Sequence, residues 1–271
     1  MARIIIEPDR IERQYWHDLW YYRELFYVLA WRDISVKYKQ TALGVIWAIL
    51  QPLITTVIFT IFAKLAKIPS GGVPAPLLVM AATLPWQFFS TSLSGSSQSL
   101  VVNSNLISKV YFPRMIIPAG AVITALVDFM ITFVLFLILM AWFEVIPTWR
   151  FVALPFLIVM AFVAALGPGL LLTALNVKYR DFRYIIPFLV QIGMYVSPVA
   201  FPSTLVPDQW RWLYSLNPMV GVIDGFRWAL LDGKGGITLP TFAISLVVTG
   251  LLAVLGIWYF RKTEQTFADV I

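Results

Sequence analysis

Apolar residues in this chain come in runs far longer than a β-strand or a helix with one buried stripe requires. Six runs stand out, at about 42–63, 77–100, 115–143, 151–175, 184–201 and 239–260. A helix that crosses a bilayer needs about 20 apolar residues, so the pattern predicts six transmembrane helices. The second run is the weakest, because Thr91 to Gln98 is rich in Ser and Gly.

Two segments break the pattern. In 15–39, Leu19, Tyr22, Phe26 and Leu29 recur at helical spacing with Arg23, Glu24, Arg32 and Asp33 between them, and Trp16, Trp20 and Trp31 add interfacial aromatics. This predicts an amphipathic helix lying in a membrane surface, a plain anchor being the simpler alternative. In 202–236, a semi-apolar stretch is interrupted by Asn217, Pro218 and Gly221. Pro disfavours helix in the residue before it. Two short half-helices that dip into the membrane fit better than one span, and such backbone is tolerated only where protein or water covers it.

Composition strengthens the membrane reading. The chain has 271 residues, 60% hydrophobic and 13% charged, against roughly 45–50% apolar and about 25% charged in soluble domains. A net charge of +6 would raise nucleic acid as a partner in a soluble protein. Here the cations flank apolar runs, as they do where they orient membrane helices. Fourteen of the 20 Lys and Arg fall in the N-terminal segment, the 2–3 and 4–5 loops and the C-terminus, and six on the other side. Arg150, Arg211, Arg227 and Lys234 are among the six. The bias predicts that both termini are cytoplasmic. Residues 1–18 contain no apolar core of a cleavable signal, so the first span is expected to direct insertion. The chain reads as a single domain: an interface segment at 1–41, a six-helix membrane domain at 42–260 and a tail at 261–271.

Candidate chemistry is sparse. There is no GxxxxGK[ST] phosphate loop; Asp232 to Gly236 is only a glycine turn. The one histidine is His17 and cysteine is absent, which argues against zinc sites and Ser-His-Asp catalysis. Asp128 is the one acid deep within an apolar run. A carboxylate there is costly and faces a bundle interior or an aqueous path. No second intramembrane charge accompanies it in the pattern, so packing is favoured over proton relay. Trp86, Phe88, Phe89 and Tyr195 either belong to interfacial belts or line a path on which sugar rings stack. The loops at 103–113 and 176–187 are short and mixed in charge, and each is either a docking helix or an ordinary positively charged loop.

Several stretches together resemble the ABC-2-type polysaccharide export permeases of the O-antigen, capsule and teichoic-acid group. They are Arg32-Asp33 with Lys37-Tyr38-Lys39-Gln40-Thr41, Leu43-Gly44, Trp47 and Gln51-Pro52; Leu84-Pro85-Trp86-Gln87-Phe88-Phe89; Ser108 to Arg114; Asn176 to Asp181; and Leu216 to Met219 with Gly225-Phe226-Arg227. The resemblance spans nearly the whole chain, with the stretches in the family's order. It implies an all-α inner-membrane protein of six spans, with an interface helix at 15–39 and re-entrant helices between the fifth and sixth spans. It implies a homodimer around an export path for a lipid-linked polysaccharide, driven by a cytoplasmic ATPase dimer that binds ATP and Mg; this chain itself would carry no cofactor. Within 103–113, Asn103, Asn105, Leu106, Lys109 and Tyr111 would form the main coupling element, with Arg180 and Asp181 as a second contact. Trp86, Phe88, Phe89, Tyr195 and Asp128 are the candidates for the path. The competing readings are a proton-coupled secondary transporter, which calls for paired intramembrane charges, and a membrane-embedded glycan-modifying transferase, which calls for an acid or His cluster at a membrane face.

Overall fold

The computed structural model describes residues 11–39, 44–68, 71–107, 109–233 and 236–267. Gln40, Thr41 and Leu43 of the N-terminal signature, together with residues 1–10, Ser108, Lys234 and the last residues of the tail, lie outside them. The described residues are helical, with no strand among them. In chain order they form α1 (Ile11–Tyr21), α2 (Arg23–Lys39), α3 (Gly44–Leu65), α4 (Ala75–Val102), α5 (Ser104–Ile107), α6 (Ile116–Trp142), α7 (Leu154–Lys178), α8 (Phe182–Val196), α9 (Asp208–Tyr214), α10 (Pro218–Leu230) and α11 (Leu239–Glu264).

Four helical segments are long and apolar enough to cross a membrane: Ile46–Leu65, Ile116–Trp142, Trp149–Lys178 and Leu239–Glu264. They correspond to the first, third, fourth and sixth apolar runs. The second run forms α4, whose 28 residues reach about 42 Å at 1.5 Å per residue. Its length suffices, but its composition is polar for a reason visible in the packing. α4 lies at the centre, against α3, α6, α7, α8 and α10, so protein covers most of its surface. Its hydroxyls fold back on their own helix: Ser96 donates to the oxygen of Leu93, Ser97 to that of Ser94 and Ser99 to that of Ser96, at 2.6–3.3 Å. The fifth run forms α8, only 15 residues long and about 22 Å, short of the ~30 Å hydrocarbon thickness.

Small residues let the central helices approach backbone to backbone, the usual packing device inside membranes. A Cβ on Gly167 of α7 would stand 2.6 Å from Cα of Ala253 in α11, and Gly256 faces the carbonyl of Gly167. Thr173 and Asn176 of α7 donate to Ser96 and Ser97 oxygens of α4, each at 2.8 Å. The core divides into a large cluster at the middle and far end, where α6 passes into α7, a second cluster at the near end, where α4 passes into α6, and a small third one of Leu93, Leu172 and Ile186. The near cluster joins Tyr15 and Leu29 to Leu100, Phe112, Met115, Val177, Phe260 and Phe267.

Residues 15–39 form two helices, α1 and α2, separated at Tyr22. The stripe anticipated as a membrane-facing surface turns inward instead: Leu29 is buried, and Leu19, Tyr22 and Phe26 pack on the near cluster. The outer face carries Trp16, Trp20, Tyr27 and Trp31, all more than half exposed. Between α8 and α11 the break falls where Asn217-Pro218 places it. α9 ends at Tyr214, and Asn217 caps α10, its side chain accepting from Met219 N–H at 3.0 Å and donating to Ser197 Oγ at 2.9 Å, with Pro218 at the first helical position, where its missing N–H costs nothing.

Candidate functional site

The near end is where the chain presents short loops. α4 closes at Asn103, whose N–H and side-chain amide both donate to the Ser99 carbonyl, at 3.1 and 2.9 Å. A single turn, α5, follows. Ile107 is buried and Leu106 packs half-buried on the near cluster, which fixes the turn. Lys109, Val110 and Tyr111 then stand exposed, and buried Phe112 pins the loop down again. The loop is fastened beyond that point by α11. Arg114 donates from its backbone N–H to Glu264 Oε1 at 2.7 Å, and its guanidinium donates to the Glu264 carbonyl oxygen. A shallow, open groove of about 220 Å³ lies between Ile107, Lys109, Val110, Tyr111, Phe112 and Arg114. Burial, then the carboxylates of Asp18 and Glu264, push the Tyr111 phenol above its ordinary range. Tyr15 is pushed up by burial and by Glu264, while Arg261 sits 4.7 Å over its ring. The loop therefore has a rigid frame with a protruding cationic and aromatic tip, which suits docking into a groove on a partner.

The second loop follows α7. Asn176 is buried and anchored to α4, whereas Lys178, Tyr179, Arg180 and Asp181 are exposed. Asn103, Asn105, Lys109, Tyr111, Arg180 and Asp181 thus all lie at the near end, in the connections from α4 to α6 and from α7 to α8. Asn105 is exposed, and Leu106 serves the frame rather than the tip.

The four aromatics fare differently. Trp86 and Phe88 are 4% and 3% exposed, packed within this chain. Trp86 fills the space left by Gly193 of α8, where a Cβ would stand 2.9 Å from the ring. Phe88 meets Phe129 edge-on at 5.6 Å, and Phe129 meets Phe226 at 5.9 Å. Both rings are occupied by core packing and present no open face. Phe89 is half-buried beside Trp86, at 5.4 Å, and Tyr195 is 67% exposed.

Asp128 is not the solitary charge that the pattern of residues indicates. Lys37 Nζ donates to its Oδ2 and Tyr38 to its Oδ1. Burial and the Asp128 carboxylate raise the Tyr38 phenol above its ordinary range. These partners lie 91 and 90 positions earlier, which no local pattern reveals. Arg32 of the same helix donates to Asp33 at 2.9 and 2.7 Å and to Asn103 Oδ1 at 3.0 Å.

At the far end lies Arg227. Counted by its position between the apolar runs among the outer-side cations, it is 1% exposed. Asp224, one turn earlier, is 3% exposed, so an acid and a base are both buried in α10; the guanidinium spends its N–H groups on main-chain carbonyls instead of on Asp224. The alternation of Asp and Arg one turn apart in an apolar stretch was the available signal. Arg150 does reach the surface, pairing with Asp232 at 2.7 Å beside Trp149 and Trp228. Among the described residues no three His, Asp or Glu converge as metal ligands.

The family described as "ABC-2 type transporter" matches residues 24–231. The O-antigen export system permease protein RfbA of Myxococcus xanthus is 28% identical over 261 residues, covering 94% of this chain and 98% of its own length. Its namesake from Klebsiella pneumoniae is 26% identical over the same span and coverage. The polysialic acid transport protein KpsM of Escherichia coli is 24% identical over 239 residues, 86% of this chain and 91% of that protein.

Proposed function

Because this chain belongs to the ABC-2 type transporter family, we propose that it is the membrane permease of an exporter that moves a lipid-linked polysaccharide of the O-antigen kind across the cytoplasmic membrane, driven by ATP hydrolysis on a separate subunit. The observation that carries the reading is similarity over nearly the whole length to permeases named for O-antigen export and polysialic acid transport. A chain without a phosphate loop needs a partner for the energy.

In this reading α4 and α8 are the second and fifth spans. α4 crosses inside a sleeve of other helices, and the extended residues after Val196 complete the crossing that α8 begins. Both termini lie in the cytoplasm, so the near end faces the ATPase. The tip Lys109-Val110-Tyr111 enters a groove on the ATPase, and Arg180-Asp181 makes the second contact. The outer face of α1 and α2, with Trp16, Trp20 and Trp31, rests in the inner leaflet. α9 and α10 are the re-entrant pair at the exit.

A second copy completes the path. α3 exposes Trp47, Ile54, Ile58 and Phe62, and α8 exposes Tyr184, Phe188, Ile192 and Tyr195. A homodimer formed across these helices places Tyr195 and Phe89 where ring faces contact sugar C–H surfaces without fixing any hydroxyl pattern. A sliding polymer needs such contact, since conduction requires binding weak enough to release.

The test is co-expression with a candidate ABC ATPase subunit from the same organism. The expected result is a stable complex that hydrolyses ATP and restores polysaccharide to the surface of an export-deficient strain, while the permease alone hydrolyses none. Hydrolysis by the highly purified permease alone would overturn the reading.

A further inference from the structure

Two polar contacts tie α2 to the bundle at different heights. Arg32 donates to Asn103 at 3.0 Å, at the corner where α4 turns into the exposed loop. Five and six positions later, Lys37 and Tyr38 donate to the two oxygens of Asp128, which lies roughly 18 Å along α6 from Ile116 at 1.5 Å per residue. α6 is the helix into which that loop leads. α2 therefore bridges the entrance of the loop and the middle of the helix beyond it.

Among the described residues, deep burial holds only the first half of α2. Its buried residues are Leu29 and Ala30, and from Trp31 to Lys39 no side chain is buried. Adjacent residues on a helix point about 100° apart. A carboxylate that receives both Lys37 and Tyr38 must sit in the notch between them, which sets both the height and the rotation of α2 against α6. Charge-assisted hydrogen bonds are directional. An apolar contact would hold two helices together at lower desolvation cost but would allow sliding.

We propose that Asp128 is a positioning residue for coupling: it clasps Lys37 and Tyr38 so that α2, the Asn103 corner and α6 move as one lever when the ATPase pushes on the loop. The proposal rests on the permease reading given above. It assigns Asp128 to force transmission, not to contact with the polysaccharide.

The experiment uses the permease–ATPase complex in proteoliposomes, measuring polysaccharide translocated per ATP hydrolysed. Asp128→Asn, Tyr38→Phe and Lys37→Asp are compared with the reversed pair Lys37→Asp with Asp128→Lys. Tyr38→Phe removes one hydroxyl from a half-buried side chain and serves as the variant least able to disturb folding. The expected result is that Asp128→Asn and Tyr38→Phe assemble and hydrolyse ATP while translocation per ATP falls about fivefold to tenfold, within the usual range of coupling energies. The reversed pair recovers most of what Lys37→Asp loses. Wild-type translocation per ATP in both Asp128→Asn and Tyr38→Phe would overturn the proposal. So would a reversed pair no better than Lys37→Asp, since Asp128 would then act by another route. A wild-type complex that hydrolyses ATP and moves no polysaccharide would instead overturn the permease reading itself.

Discussion

The Nε of Arg227 donates to the main-chain oxygen of Leu78 at 3.3 Å, joining α10 to the far end of α4. The same guanidinium donates to the carbonyls of Phe201 and Val199, each at 3.2 Å. One side chain thus satisfies oxygens from the start of α4 and from the turn segment after α8, where no helix supplies partners. A planar fork with five N–H donors can do this; an ammonium on a flexible stem cannot reproduce the geometry. The cost of burying the cation is met by these three acceptors.

Arg227→Ala is accordingly expected to destabilise the permease by about 3–5 kcal/mol, because it takes the donor from three main-chain oxygens at a cost of about 1–3 kcal/mol each. Arg227→Lys should recover only part of the loss. Thermal unfolding in detergent, followed by the monodisperse fraction remaining after heating, measures both. Wild-type stability for Arg227→Ala would show that water meets the needs of these oxygens.

Helix approach at Gly167 and Gly256 leads to a second expectation. A methyl group on Gly256 runs into the carbonyl of Gly167, so Gly256→Ala must push α7 and α11 apart. Overpacking of this kind costs about 1–3 kcal/mol. Gly250→Ala, on the same helix with nothing within 4 Å of the added carbon, is the control and should leave stability unchanged. The two are compared by the same heating assay.

Coupling through the loop is best tested at its exposed tip. Leu106 is half-buried on the near cluster, so Leu106→Asp mixes a folding defect with a coupling defect. Tyr111 is 56% exposed and Lys109 is exposed. Lys109→Glu with Tyr111→Ala is expected to leave insertion and stability intact while lowering polysaccharide export about tenfold, within the range seen for coupling between sites. Equal export at equal membrane abundance would remove this loop from the coupling route.

The aromatics separate into two predicted phenotypes. Trp86→Ala empties a core position and should destabilise the chain by about 3–5 kcal/mol, with loss of export following from loss of protein. Phe89→Ala with Tyr195→Ala should keep the protein abundant and its complex active in ATP hydrolysis, yet reduce export of polysaccharide. Unimpaired export in that double variant would return Phe89 and Tyr195 to an interfacial belt.

The chain's order of apolar and polar residues was enough to determine that it is a helical membrane protein. It was also enough to locate the four strongest spans and to end α9 and start α10 around Asn217-Pro218, because helix length, hydropathy and proline stereochemistry are local properties. It likewise located the exposed loops near Lys109 and Arg180, since charged residues between apolar runs have nowhere else to go. The periodic stripe of Leu19, Tyr22, Phe26 and Leu29 was legible as well, but not what it faces. A stripe records that a surface is covered; lipid and protein cover it equally well. Only the tertiary structure decided that this stripe packs on Phe112, Val177 and Phe260, and that Trp86 and Phe88 fill a core. It alone placed Lys37 and Tyr38 on Asp128 across 91 and 90 positions and buried Arg227 against carbonyls of Leu78, Val199 and Phe201. In each case the deciding partner lies on another helix. The free energy of an ion pair or a packed ring depends on which groups are brought within a few ångströms of it, and that distance is set by the whole bundle rather than by neighbours along the chain.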